Sequence, residues 1–267
     1  MIQKKHILRL YEVLKKRLRF TVFLGRFTKE RIVFTSIPKS GTNLLFSFFG
    51  YLPYYRYQIG RGLRPWLYKQ FSSYLKRIKN VKKGMILHGH IPYEKSIVKY
   101  LKKQKVKVIF LYRDPRDVVV STFYYLKSID KKHKSHEFFS NLKTDTDRIK
   151  SIISGKDNFF EPIDKIYNDY IKWLDYPFCY SFKYEDLISF KNGSKNPDLF
   201  FEEIKEIFNL KKLNNNILIE YLNSNQSSQT FRKGSSGDWK NFFNKKEKKI
   251  LQDSLSEILV KLGYEQN

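Results

Sequence analysis

The chain has 267 residues, 41% of them hydrophobic, enough to bury a sizeable core in one large domain, and 52 Lys+Arg against 26 Asp+Glu leave a formal net charge of +26. Such a surface favours anionic partners, whether nucleic acid, an acidic membrane face, a polyanion or a phosphorylated ligand, and because the basic residues are spread along the whole chain the charge alone does not choose among them. Cys179 is the only cysteine, which excludes a disulfide framework and a cysteine-based metal site and points to a reducing, cytoplasmic compartment.

In chain order, residues 1–30 form a basic amphipathic helical segment ahead of a domain at 31–267. Ile7, Leu10, Tyr11, Leu14 and Leu18 share one helical face. That face suits either the domain's own core or the surface of an anionic membrane, as a peripheral contact. Arg9, Lys15, Lys16, Arg17 and Arg19 interrupt the apolar run, and no stretch of the chain reaches the roughly 18 apolar residues that a span requires. The segment does not have the pattern of a cleavable signal either.

Apolar, β-rich runs follow at residues 32–36, 85–90, 106–112 and 178–183, with segments of helical period between them. Strands buried on both faces and separated by helices predict an α/β fold with a central parallel β-sheet flanked by helices. Asp114-Pro115-Arg116-Asp117 supplies an N-cap, a proline at the first helical position and an acid in the first turn of a helix that continues through Val118. Asn196-Pro197 opens another helix in the same way. Asn244, with Glu247 three residues on, makes a capping-box start for a closing helix, and Gly263 stands at its end. Residues 127–158 and 223–240 are polar and are expected to be loops with a binding role, as is 53–74.

The first strand ends in "IPKSGTN", residues 37–43. A strand that turns directly into a helix leaves unpaired backbone N–H groups at the positive end of the helix dipole, which makes an anion pocket. Gly41 lets the backbone approach the anion, Ser40 and Thr42 add hydroxyls, and Lys39 adds a full charge. The NTP-binding P-loop places its lysine after the glycine, whereas Lys39 precedes Gly41. "VKVIFLYRD" imitates a Walker B strand, but Asp114 is equally well explained as a helix cap.

"IPKSGTN", "GHIP" after the second strand, "LYRDPRDVVVSTFYY" on the third strand and its helix, "YED" after the fourth and "RKGSSGDWKNFF" near the C-terminus occur in one chain in this order. The chain therefore resembles the sulfotransferases that use 3′-phosphoadenosine 5′-phosphosulfate (PAPS), with their P-loop NTPase-like sulfotransferase fold. The resemblance implies that Lys39, Ser40, Gly41, Thr42 and Asn43 hold the 5′-phosphosulfate. It implies that Arg113 and Ser121, with Arg232, Lys233 and Gly234, hold the 3′-phosphate, and that Tyr184 contacts adenine. His90 stands where the family carries its catalytic base, and His88, two residues earlier, is the rival.

The chemistry is consistent with these roles. Sulfuryl transfer to a hydroxyl or amine resembles phosphoryl transfer, with a loose in-line transition state that leaves the protein positioning and charge stabilisation to perform. His90 would accept the acceptor's proton, and Lys39 would stabilise the leaving phosphate without a metal.

Where better-known members have a tryptophan after the Thr pair, this chain has Leu44, so an aromatic that would stack on adenine is absent, and Phe231 is the candidate to compensate. "KNFFNKKEKK" lacks the Thr-Val pair of the family's dimer motif. "GHIP" in place of "THLP" points to a more distant, bacterial branch. The acceptor is a small molecule, a glycan or a lipid head group. The competing readings are a P-loop-type nucleotide kinase or NTPase and a basic nucleic-acid-binding protein, and the five motifs in register argue against both.

Overall fold

Each apolar run expected to be a strand is one, and the three inner ones are covered on both faces. The computed structural model describes residues 30–53, 55–57, 62–63, 71–129, 135–157, 159–223 and 235–266. Among these, β1 (Arg31–Ser36), β2 (Arg56–Tyr57), β3 (Met85–Gly89), β4 (Lys107–Tyr112) and β5 (Cys179–Lys183) form one all-parallel sheet in the order β2-β3-β1-β4-β5. The register pairs Thr35 of β1 with Gly89 on one side and Phe110 on the other. The short edge strand β2 lies in the stretch expected to be a loop.

The helices lie on the two faces. On one face, Ile32 and Phe34 of β1 and Ile109 and Leu111 of β4 pack on α1 (Thr42–Phe49) and on a later helix, Asp198–Phe208, through Leu45, Phe48, Phe49, Phe201 and Phe208. The opposite face carries Val33, Leu87, Val108 and Phe110 beneath three elements: α2 (Phe71–Lys79) and α3 (Lys95–Lys103), and α4 (Pro115–Tyr124), which runs into a π-helical turn at Tyr125–Ile129. Alternation along β1 therefore sends apolar side chains both ways, which is why the run reads as continuous.

The helix starts follow the local chemistry. Asp114 caps α4 by accepting from Arg116 N–H at 2.9 Å. Asn196 accepts from Asp198 N–H at 2.9 Å. In the closing helix, Lys245–Lys261, Asn244 and Glu247 exchange both hydrogen bonds of the capping box at 3.0 Å, and Gly263 follows its last turn.

Residues 127–158 differ from expectation: they contain α5 (His136–Asn141) and α6 (Asp145–Ser154). Their polar composition hides a capped amphipathic helix, in which Thr144 accepts from Asp147 N–H at 3.1 Å while Ile149, Ile152 and Ile153 are buried. The remaining helices are α7 (Ile163–Ile171), α8 (Tyr184–Lys191), α9 (Asp198–Phe208), α10 (Asn215–Asn223), α11 (Trp239–Phe242) and α12 (Lys245–Lys261). No helix among the described residues is long and apolar enough to cross a membrane. The amphipathic segment expected at 1–30 lies, apart from Glu30, outside them.

β1 has β3 on one side and β4 on the other, so the chain switches direction across it. In such a sheet the crevice for a ligand opens beyond the carboxyl ends of the strands at the switch. The segments after β1, β3, β4 and β5 are the four that carry Lys39, His90, Arg113 and Tyr184.

Candidate active site

The turn after β1 is held open by its backbone. Lys39 has φ 67° and Gly41 has φ 85°, and Gly41 is the N-cap of α1 with no side chain capping it. A left-handed conformation is costly for a lysine and is seen where surrounding structure imposes it, often at functional sites. At Gly41 a Cβ would lie 2.3 Å from Tyr184 Cδ2, so only glycine fits between the turn and that ring. The Tyr184 ring also faces the Arg113 guanidinium, whose Cζ is 4.3 Å from its centroid. Residues 41, 113 and 184, predicted from three separate motifs, are thus in one stack.

Thr42 and Ser36 share a hydrogen bond of 2.7 Å between their hydroxyls, and the Ser36 hydroxyl lies 3.3 Å from His90 Nδ1. Nδ1 is closer still to the Ser36 carbonyl oxygen, at 2.8 Å. A carbonyl only accepts, so Nδ1 carries a proton, and in the neutral form of the ring Nε2 is the basic nitrogen. The backbone after His90 is pinned twice. The Thr35 hydroxyl accepts from Ile91 N–H at 2.8 Å, and Trp173 Nε1–H, fully buried, donates to the Ile91 carbonyl at 2.9 Å. His88 goes elsewhere: its ring packs against Phe46 at 4.3 Å and Tyr57 at 5.4 Å between centroids.

Arg113, 7% exposed, links the turn to the C-terminal loop. It donates to the Lys39 carbonyl at 3.5 Å and to the Ser235 carbonyl at 2.8 Å, and lies 3.7 Å from the Asp117 carboxylate. Asp117 in turn accepts from Gly237 N–H at 2.7 Å and Trp239 N–H at 3.1 Å. Burial is the largest influence on Asp117 and raises its pKa above the ordinary carboxyl value, while the Arg113 charge and the two N–H donors oppose it. Ser121 is half-buried one turn along α4 from Asp117, on the same face. The Arg113 backbone is fixed by Tyr167, whose hydroxyl donates to its carbonyl at 2.7 Å, and by Glu185, which accepts from Asp114 N–H at 3.1 Å.

Three buried side-chain polar atoms at this place have no hydrogen-bond partner among the described residues: Ser40 Oγ, Arg113 Nε and Ser235 Oγ. Buried donors left in this way cost free energy unless a ligand satisfies them, and two hydroxyls and a guanidinium N–H fit the oxygens of a phosphorylated nucleotide. The Lys39 ammonium packs on the Tyr125 ring, 3.4 Å from its centroid. Asn43 is exposed in the first turn of α1, and Leu44 packs against the adjoining core. Arg232, Lys233, Gly234 and Phe231 lie outside the described residues. The described chain resumes at Ser235, in contact with Arg113.

Asp114 is engaged by the helix start and by Arg116, 2.8 Å away in a buried pair, so the Walker B-like reading has no acid to use. Among the described residues no three His, Cys, Asp or Glu side chains converge as a metal ion would need.

The ends of the parallel strands bring together a turn with left-handed Lys39 and Gly41, an imidazole bonded to the Ser36 carbonyl and a buried arginine, the arrangement of an α/β enzyme. The chain belongs to the sulfotransferase family, whose description, "Sulfotransferase domain", matches residues 29–263. It is a PAPS-dependent sulfotransferase, with PAPS as cosubstrate. It is 25% identical to the amine sulfotransferase of Oryctolagus cuniculus over 216 residues, covering 71% of this chain and 67% of that protein. Its fold is similar to mouse sulfotransferase SULT7A1 complexed with PAP, at a TM-score of 0.62 and 19% identity over 90% of this chain and 89% of that one. It is also similar to retinol dehydratase in complex with androsterone and inactive cofactor PAP, at a TM-score of 0.50 and 19% identity over 85% and 80%.

Asp117, Ser235, Tyr167, Thr35 and Trp173 were not singled out by sequence for the site. Asp117 is legible as a first-turn acid and a neighbour for Arg113 four residues earlier, whereas its backbone partners Gly237 and Trp239 lie more than a hundred residues downstream. Ser235 and Ser236 were passed over as spacers in "RKGSSGDWK".

Proposed function

We propose that His90 is the general base and Lys39 the leaving-group cation of this sulfotransferase, and that its acceptor is a hydroxyl or amine on a small molecule, a glycan or a lipid head group. The acceptor oxygen or nitrogen attacks sulfur while its proton passes to His90 Nε2. The bond from sulfur to the bridging oxygen breaks, and Lys39 balances the charge that gathers on the departing 5′-phosphate. The products are the sulfated acceptor, adenosine 3′,5′-bisphosphate and a proton. The 5′ end would rest on Lys39, Ser40, Gly41, Thr42 and Asn43. The 3′-phosphate would rest on Arg113, Ser121, Arg232, Lys233 and Gly234, with Tyr184 toward the adenine.

One observation supports this most: His90 Nδ1 is engaged by the carbonyl of Ser36, one residue before the anion turn, which leaves the basic nitrogen of a neutral ring as the other one. His88, two residues earlier, packs its ring on Phe46 and Tyr57. Because the identified relative acts as an amine sulfotransferase, amines head the acceptor screen, followed by alcohols and phenols. If Lys39→Ala, His90→Ala and Arg232→Ala each leave turnover with PAPS intact, these assignments fail. Residues 1–30 and the +26 charge also support a peripheral contact between a cytoplasmic enzyme and anionic membrane. Unchanged sedimentation with anionic liposomes after deletion of those residues would refute it.

A further inference from the structure

We propose that Tyr125 is a positioning residue for Lys39: its ring is the shelf on which the leaving-group ammonium is held. This rests on the role given to Lys39 above. A lysine side chain is long and flexible, and confining it at the moment of reaction costs a large part of its rotamer freedom. Two features of the chain reduce that freedom beforehand. At its base, the left-handed backbone of Lys39 fixes the direction in which the side chain leaves the turn. At its tip, Nζ lies 3.4 Å from the centroid of the Tyr125 ring, over the face, where the ring quadrupole attracts a cation. One side of the ammonium meets the ring and its other N–H groups are directed elsewhere.

Tyr125 is placed for this by the end of α4. The helix begins beside Arg113, which donates to the Lys39 carbonyl, and ends at Tyr124, where the backbone widens into the π-helical turn Tyr125–Ile129. Such turns inside helices recur at functional sites, because the extra residue re-aims side chains. Here Tyr124 and Tyr125 both pack against the core, Tyr124 beside Phe123 and Phe242, and the Tyr125 ring also meets Lys39. The residues on either side of α4 therefore hold the lysine at both ends, its carbonyl through Arg113 and its ammonium through Tyr125.

The test replaces Tyr125 with phenylalanine, with mono-, di- and trifluorophenylalanine, and with leucine. Fluorine drains the ring face while keeping its shape. We expect Tyr125→Phe to retain kcat, each added fluorine to lower it stepwise, and Tyr125→Leu to lower it about tenfold, with a smaller change in the KM for PAPS. In parallel, ¹³C-dimethylated protein is examined by NMR, with Lys39→Arg assigning the signal. The Lys39 methyls should be shifted upfield by the ring in the wild type and in Tyr125→Phe, and not in Tyr125→Leu. A kcat indifferent to fluorination, or a Lys39 signal without an upfield shift, overturns the inference. Full turnover in Lys39→Ala would instead refute the role of Lys39 in the reaction, whatever the ring contact shows, so the two failures are distinguishable.

Discussion

Replacing Gly41 with alanine tests how the anion turn is built. The substitution has two costs. The first is conformational: at φ 85° an L side chain is strained by about 1–2 kcal/mol. The second is steric, since the new Cβ would lie 2.3 Å from Tyr184 Cδ2 and 2.6 Å from Cε2, and Tyr184 is only 6% exposed. Displacing that ring disturbs its packing, about 1–3 kcal/mol for an overfilled buried site. It also disturbs the stacked Arg113, about 0.5–2 kcal/mol. Gly193→Ala separates the terms: its φ is 76°, but a Cβ there meets no described atom within 4 Å. Urea denaturation should show Gly193→Ala losing about 1–2 kcal/mol and Gly41→Ala roughly 2.5–7 kcal/mol. Calorimetric titration with adenosine 3′,5′-bisphosphate should show weakened binding only for Gly41→Ala. Equal destabilisation of the two variants, with undiminished nucleotide affinity in both, would refute the packing of Tyr184 against the turn as the reason for glycine.

If His90 is the proposed general base, His90→Ala should lower kcat by about 10²- to 10⁴-fold while nucleotide affinity measured by titration stays within about twofold, because only the acceptor's proton would lose its partner. Asp117→Ala removes the acceptor for Gly237 N–H and Trp239 N–H and leaves Arg113 without its carboxylate partner. Limited proteolysis should then cut the chain faster between residues 223 and 240, with nucleotide affinity down about tenfold or more. Glu185 is held above its ordinary pKa of 4.5, by burial first, against hydrogen bonds from Asp114 N–H and Tyr264. Its ionised form is thus less favourable folded than unfolded, so the associated stability is present below about 4.5 and is lost as pH rises through the raised folded value. In Glu185→Gln, melting temperatures taken from about pH 4 to 7 should lack that loss, and a pH dependence identical to wild type would contradict the sign.

The parallel sheet was legible because the inner strands β1, β3 and β4 are buried on both faces, and burial of that kind writes itself into a sequence as an unbroken apolar run. The caps at Asp114 and Asn244 were legible because their partners are two or three residues away, whereas the helix after Asn196 has Pro197 as its N-cap, with Asn196 accepting from Asp198 N–H just outside it. β2, two residues at an edge, carries too little pattern to be seen. The helix at Asp145–Ser154 was hidden by its charged outer face, although Ile149, Ile152 and Ile153 mark its inner one. At the site, the turn residues and His90 were visible as motifs. What holds them was not: the Ile91 backbone is pinned by Thr35 and Trp173, and Arg113 by Tyr167, all more than fifty residues away in sequence. Hydrogen bonds between such distant residues leave no local spacing to recognise.

The central claim is that one nucleotide is held at its two ends by different parts of the chain. Comparing the affinities of adenosine 3′,5′-bisphosphate and 5′-AMP in the wild type, Lys39→Ala and Arg232→Ala tests it most directly. The bisphosphate should bind the wild type about 100-fold or more tightly than AMP, as two or so charge-assisted hydrogen bonds imply. Arg232→Ala should remove most of that preference, whereas Lys39→Ala should weaken both ligands alike. No preference for the 3′-phosphate, or an Arg232→Ala effect that is the same for both ligands, would contradict the account.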